Sequence, residues 1–408
     1  MARSLSLSAY LALRGASRPE IRRAATEWPG RPKGGVVWVR LGEAERIPAA
    51  RAIIDTFVSD GDQAFFVITA PSVEGIVENE TLDFILLEEP GGQKSEIRRF
   101  LRHWQPDLLV WLGGALDPYL LVETDDRIER RILVDANARD LSALTGRWWF
   151  SRIAANTLDR FDRILAQDDE NYARLASLVE PPKTRVVSVG RLDDGAVFLP
   201  FDETERAEYS AVIGTRQVWF AASATLAEAN ALAVAHRQAC RRAHRLLLIV
   251  EARNPGETQE MAERFRGKGL QTEILSDGAR PSENVQVFIV DNPENTGLWY
   301  QLSPIAYMGN SLTGGGCPDP MAAAASGSAI IHGPFVIPHS EKFARLDSAN
   351  GGWLARTSEE LGNAVERLIA PDRAAQYAHA AWDVITRGAE ATNRTAESIR
   401  QMLEEAGY

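Results

Sequence analysis

A run of three glycines is the sharpest chemical signal in the sequence. Gly314-Gly315-Gly316 sits within Gly309-Asn310-Ser311-Leu312-Thr313-Gly314-Gly315-Gly316-Cys317-Pro318-Asp319-Pro320, after the apolar Ile305–Met308 and before an alanine-rich stretch. Consecutive glycines let the backbone approach a ligand closely and turn its amides inward. Asp319 or Ser311 suits a helix cap, Pro320 a first helical turn, and a helix start favours an anion. The pattern predicts a phosphate cradle, but not a Walker loop, since no Gly-Lys-Ser/Thr follows. A plain turn from strand to helix is the alternative. Arg253, after the apolar Arg245–Val250, offers a guanidinium that can pair with a phosphate by two parallel hydrogen bonds. Alone, such an arginine is more often a surface residue. Ser223, after Val218–Ala222, either caps the next helix or meets a phosphate oxygen. Glu43, after Val36–Val39, presents a carboxylate able to take a proton from a hydroxyl. Its other role would be an acidic residue in the first turn of a helix, favourable with the helix dipole.

Other features promise less. Asp60-Gly61-Asp62 has the spacing of a metal-binding pair but reads as a turn before a strand. The histidines form no HExxH or close pair, so no metal site is readable and no cofactor is called for. His236 reads as a helix-face residue, and Trp148-Trp149-Phe150 as packing. Only Cys240 and Cys317 are present, too few for a disulfide framework or a cysteine-based zinc site, which suits a reducing compartment. A net charge of −11 argues against a general nucleic-acid binder. Residues 1–33 run the other way, with seven basic residues against Glu20 and Glu27 and several leucines. This stretch is too short to span a bilayer. It reads either as a basic interfacial helix on an anionic membrane or as a first helix packed on the body of the protein.

These residues need elements to position them. The 408 residues, 45% hydrophobic and 25% charged, suit two globular domains. Strands are expected at Val36–Val39, Ala64–Thr69, Phe84–Leu87, Leu108–Leu112, Ile132–Val134, Arg163–Ala166 and Arg185–Val189. Helical spacing falls between most of them, as in Glu45–Phe57, Ser95–Trp104 and Asp168–Leu178. A polar stretch, Arg191–Glu205, reads as a linker. A second series follows: Val218–Ala222, Arg245–Val250, Gln271–Leu275, Val285–Val290, Ile305–Met308, Ala329–His332 and Trp353–Arg356. Residues 358–408 read as helical. Alternating strands and helices imply parallel, doubly wound sheets. The organisation expected is a basic segment 1–34, Rossmann-like domains 35–195 and 206–370, and terminal helices 371–408. This α/β arrangement resembles the GT-B glycosyltransferases, whose two halves face each other across a cleft.

The motifs themselves resemble the 3-deoxy-D-manno-octulosonic acid (Kdo) transferases. Trp38-Val39-Arg40-Leu41-Gly42-Glu43 is similar to that family's Trp strand ending in Ser-Val-Gly-Glu, shortened but keeping Gly-Glu. Asn137-Ala138-Arg139-Asp140-Leu141-Ser142 resembles its Asn-Ala-Arg-Leu-Ser, Ala252-Arg253-Asn254-Pro255-Gly256 its Pro-Arg-His-Pro-Glu, and Gly309-Asn310-Ser311-Leu312 its Gly-Gly-Ser-Leu. Elsewhere the chain departs. The family's Gly-Gly-His-Asn-Pro-Leu-Glu-Pro is met by Gly316 to Ala323, with Pro318, Asp319 and Ala322 in place of His, Asn and Glu. Its Glu-Thr-Glu-x-Trp-Pro is met by Gly113 to Pro118. Its Ser-Thr-His-Glu-Gly-Glu becomes Ser223 to Glu228.

The resemblance implies an inverting transfer of Kdo or a related acidic sugar from a CMP-sugar to a lipid-linked acceptor. Glu43 would be the base. Ser223, Arg253, Ser311, Gly314, Gly315, Gly316 and Asp319 would bind the donor, and Asn137 and Arg139 are acceptor-side candidates. The N-terminal domain would take the acceptor and the C-terminal one the CMP-sugar. A monophosphate leaving group makes a metal dispensable. The place implied is the cytoplasm or the cytoplasmic face of the inner membrane. The replaced residues leave open a paralogue that binds nucleotide or a partner without transfer.

Overall fold

The computed structural model describes residues 28–61, 64–73, 84–91, 93–141, 150–181, 184–192 and 198–408. Most of the basic N-terminal segment, Asp62 of the acidic pair, and Trp148-Trp149 lie outside the described residues. The chain divides into two compact units. One ends at Gly195 and takes in Arg387–Tyr408, and the other is Ala196–Thr386.

The first unit is built on β1 (Val36–Leu41), β2 (Phe65–Ala70), β3 (Phe84–Glu88), β4 (Leu108–Leu112), β5 (Arg130–Ala136), β6 (Arg163–Ala166) and β7 (Arg185–Ser188). These pair in parallel in the order β3-β2-β1-β4-β5-β6-β7. Parallel sheets are covered on both faces, so their strands read as unbroken apolar runs. All six residues of β1 are buried. Val36 and Trp38 enter one face's core, and Val37, Val39 and Leu41 the other's, as the two-residue period requires. Covering helices show the complementary stripe. In Lys94–Trp104, Ile97, Phe100, Leu101 and Trp104 are buried, spaced one or two turns apart along one face.

The second unit repeats the plan with β8 (Val218–Ala224), β9 (Leu247–Ala252), β10 (Thr272–Ile274), β11 (Val287–Val290), β12 (Ile305–Met308), β13 (Ala329–His332) and β14 (Gly352–Leu354). Its order is β10-β11-β9-β8-β12-β13-β14, again parallel. Helices Ser358–Leu368 and Pro371–Glu405 end the chain, and the latter contributes to both units. No helix among the described residues is long and apolar enough to cross a membrane.

Strand order fixes where each unit offers a site. In open α/β sheets ligands bind beyond the carboxyl ends of the strands, where the winding direction reverses. That point lies between β1 and β4 in the first sheet and between β8 and β12 in the second. Glu43 follows β1, and the glycine loop follows β12.

Candidate functional site

In the second unit the glycine loop leaves β12 through a tight backbone contact. A Cβ on Gly309 would stand 2.4 Å from the Ala222 carbonyl oxygen at the end of β8. Gly314, Gly315 and Gly316 all have positive φ, 89°, 107° and 97°, a conformation that side chains strain to adopt. Asn310, itself at φ 60°, braces the turn by donating from Nδ2 to the Gly316 carbonyl at 2.9 Å and accepting from Thr313 Oγ1 at 3.1 Å. Strand β9 runs two residues beyond its expected end. Arg253 therefore leaves the sheet at once, exposed, with Nη1 donating to the Gly316 carbonyl. The structure thus brings Arg253 and the glycines together. A guanidinium beside glycines at positive φ is chemistry suited to a phosphate, with Gly314 N itself spent on the Asn310 carbonyl at 3.0 Å.

Of three other residues expected at a donor, Ser311 and Asp319 have side chains engaged elsewhere, and Ser223 does not act as a cap. The Ser311 side chain is a strut, with no exposure. Its Oγ donates to the Met308 carbonyl and accepts from Gly333 N at 2.7 Å, so the expectation that it holds a phosphate gives way. Asp319 does cap the following helix, accepting from Met321 N at 3.0 Å, but its Oδ2 is taken by Lys342 at 2.6 Å. That helix, Pro320–Ala325, is only six residues long, and a carboxylate already occupies its N-terminus. No free end is left for an anion, contrary to the expectation. Ser223 is no cap either. It sits within β8 at φ 52°, where the register with β9 breaks, and its N donates to Glu251 Oε2 at 2.9 Å. Thr225 caps the next turn instead, in a capping box with Glu228.

Glu228 is the residue that sequence reasoning passed over. Its carboxylate is fully buried and accepts from Asn310 N at 2.5 Å, Leu312 N at 3.2 Å, Tyr307 OH at 2.6 Å and Thr225 N at 3.3 Å. A buried charge is tolerable only with such company. Here it ties the end of β8 to the first residues of the glycine loop. Burial, and then the nearby Glu228 charge, push the Tyr307 hydroxyl pKa up, so it stays a donor. The local signal was the capping-box spacing Thr225-x-x-Glu228. His236, read as a helix-face residue, is buried. It accepts from Trp219 Nε1 at 3.0 Å, and burial holds its pKa down to about 3. It is a neutral core group.

In the first unit, Gly42 presses against the turn after β4. A Cβ there would meet the Gly113 carbonyl oxygen and Gly114 Cα, each at 2.6 Å. Glu43 comes next, exposed and extended (φ −143°, ψ 148°), before a single 3-10 turn, Ala44–Arg46. Its side chain makes no cap bond. Arg46 Nη1 pairs at 2.7 Å with Asp135, whose side chain is fully buried at the end of β5. Asp140 stands in the same field. Burial raises its pKa most, and the charges of Asp135 and Glu43 add to this, while a hydrogen bond at the Asn137 backbone and the Arg46 charge oppose it. Asn137 is a turn former, accepting from Arg139 N at 2.9 Å and donating to Gln167 Oε1 at 2.9 Å. Its carboxamide is thus used locally, while the Arg139 side chain is exposed. Among the described residues no group of three or more His, Cys, Asp or Glu is arranged to hold a metal ion.

Comparison with known proteins adds a family likeness. Residues 20–193 match the family model described as 3-Deoxy-D-manno-octulosonic-acid transferase (kdotransferase). A 3-deoxy-D-manno-octulosonic acid transferase of Haemophilus influenzae is 26% identical over 320 residues, covering 76% of this chain and 72% of that protein. One of Bordetella pertussis is 25% identical over 399 residues, covering 93% and 90%. The structure of UDP-GlcNAc 2-epimerase from Neisseria meningitidis bound to UDP-GlcNAc matches with a TM-score of 0.51 at 12% identity, over 91% of this chain and all of that one. At that identity the likeness is one of fold. With a family model over residues 20–193 and relatives at 25–26% identity over most of its length, the chain is similar to the 3-deoxy-D-manno-octulosonic acid transferases.

Proposed function

We propose that the protein transfers Kdo or a related acidic sugar from a CMP-linked donor to a lipid-linked acceptor in lipopolysaccharide or surface-glycan synthesis. The observation that carries this reading is Arg253 standing on the Gly316 carbonyl, beside three glycines at positive φ, at the switch point of the second sheet. The donor phosphate rests on that loop and on Arg253. Glu43, at the switch point of the first sheet, takes the proton of the acceptor hydroxyl. The hydroxyl oxygen bonds to the anomeric carbon with inversion as the bond to the phosphate oxygen breaks, and CMP leaves with the electron pair.

A second reading has its own support. Ser311 is closed off, Asp319 is committed to Lys342, and Ala322 stands where the resembled motif has Glu. A member that binds nucleotide without transfer would look like this. Titration with CMP and CMP-sugars, followed by product analysis with a lipid A precursor, separates the two. Binding with product formation supports transfer. Binding without product supports the second reading, and no binding of either probe overturns the donor assignment.

A further inference from the structure

After β13 the chain returns to the glycine loop and is laced onto it. Gly333 N donates to Ser311 Oγ at 2.7 Å, Phe335 N donates to the Ser311 carbonyl at 2.9 Å, and Cys317 N donates to the Ile337 carbonyl at 3.1 Å. A Cβ on Gly333 would press into the Ser311 backbone, so the two segments lie as close as their atoms allow. Val336 packs against the core of the second unit. Its two neighbours do not follow it inward: Phe335 is 52% exposed and Ile337 72%. Exposed apolar residues scattered singly are ordinary and need no explanation. This phenyl ring is different because of where the braced backbone holds it.

Phe335 stands at one end of the three glycines and Arg253 at the other. A Cβ on Gly314 would lie 3.6 Å from the Phe335 ring, and one on Gly316 would lie 3.8 Å from Arg253 Nη2. The two glycines are two peptide units apart, at most about 7.6 Å between their Cα atoms. A phosphate on Arg253 therefore has a half-exposed aromatic ring within reach of a group one sugar away. In a nucleotide that group is the base. We propose that Phe335 is the platform on which the pyrimidine base of the donor nucleotide stacks. Every base offers a flat π-face, so an aromatic side chain can hold it without hydrogen bonds to its edge. The inference rests on the reading that a CMP-linked donor binds this loop.

Calorimetric titration of the full chain with CMP tests it in wild type and three variants. Phe335→Ala should weaken CMP by about five- to 150-fold, the range of one base stacked on one aromatic ring. Phe335→Leu keeps apolar bulk without a ring and should lose most of the same affinity. Phe335→Trp restores a π-face and should stay within about threefold of wild type. The urea midpoint of Phe335→Ala should lie close to that of wild type, because the ring is half exposed, and this separates loss of the ring from loss of folding. Unchanged CMP affinity in Phe335→Ala, full affinity in Phe335→Leu, or a loss in Phe335→Trp as large as in Phe335→Ala would overturn the platform and leave the donor reading standing. If wild type does not bind CMP, the donor reading falls, and this inference with it.

Discussion

Two residues in different units are asked to do separable work. Glu43 is exposed, extended and free of a capping bond, so Glu43→Gln should leave folding and CMP affinity near wild type. Loss of a general base costs about 10²- to 10⁴-fold in turnover. Arg253→Ala should instead weaken CMP binding by about 1.5–3 kcal/mol, the worth of a hydrogen bond to a charged group. Its position was legible in the sequence because a residue just past a buried strand must emerge at the sheet's carboxyl end. The roles of Ser311, Asp319 and Ser223 were not legible. Their partners, Gly333, Lys342 and Glu251, lie 22, 23 and 28 residues away. Whether a hydroxyl or carboxylate stays open to a ligand is decided by such distant groups, and no local pattern records them.

At the scale of elements, the loop after β12 separates a glycine that holds the sheet from the glycines proposed to hold the donor phosphate. Gly309→Ala forces a methyl against backbone atoms of β8, 2.4 to 2.7 Å away. Overpacking of this kind costs about 1–3 kcal/mol, read as a lowered urea midpoint. Gly315→Ala meets only the Asn310 amide, at 3.0 Å, but at φ 107°. Its larger effect should be on CMP affinity, since the strained turn must shift to relieve itself. Ser311→Ala leaves Gly333 N buried without its acceptor and should cost about 1–3 kcal/mol of stability, with CMP affinity reduced less than by Gly315→Ala. The strands themselves were readable to within a few residues because burial on both faces writes them as continuous apolar runs, as in Val36–Leu41 and Leu108–Leu112. The Glu228 strut was only half readable. Its capping box is local, but the amides it ties down lie 82 and 84 residues later.

For the whole molecule, buried carboxylates set a pH dependence. Glu251, buried at the end of β9 and accepting from Ser223 N and Thr296 Oγ1, has its pKa raised above 4.5, burial outweighing both hydrogen bonds. A raised folded pKa means that the folded state binds the proton more tightly. That contribution is fully present below pH 4.5 and lost as the pH climbs through the folded value. Glu251→Gln removes the titration, so urea midpoints across this interval should move in the variant's favour as pH rises. A difference independent of pH would contradict the burial argument. The basic surplus of residues 1–33 predicts binding to anionic vesicles that weakens with salt and with deletion of that segment. Salt-independent behaviour without vesicle binding would count against it. The central claim is a division of labour, with the donor phosphate held on the second unit and the proton taken by the first. Its most direct test is to measure turnover and CMP affinity side by side for Glu43→Gln and Arg253→Ala. The account predicts a turnover defect with near-normal CMP affinity for the first and a CMP-affinity defect for the second. Near-normal turnover by Glu43→Gln would contradict it.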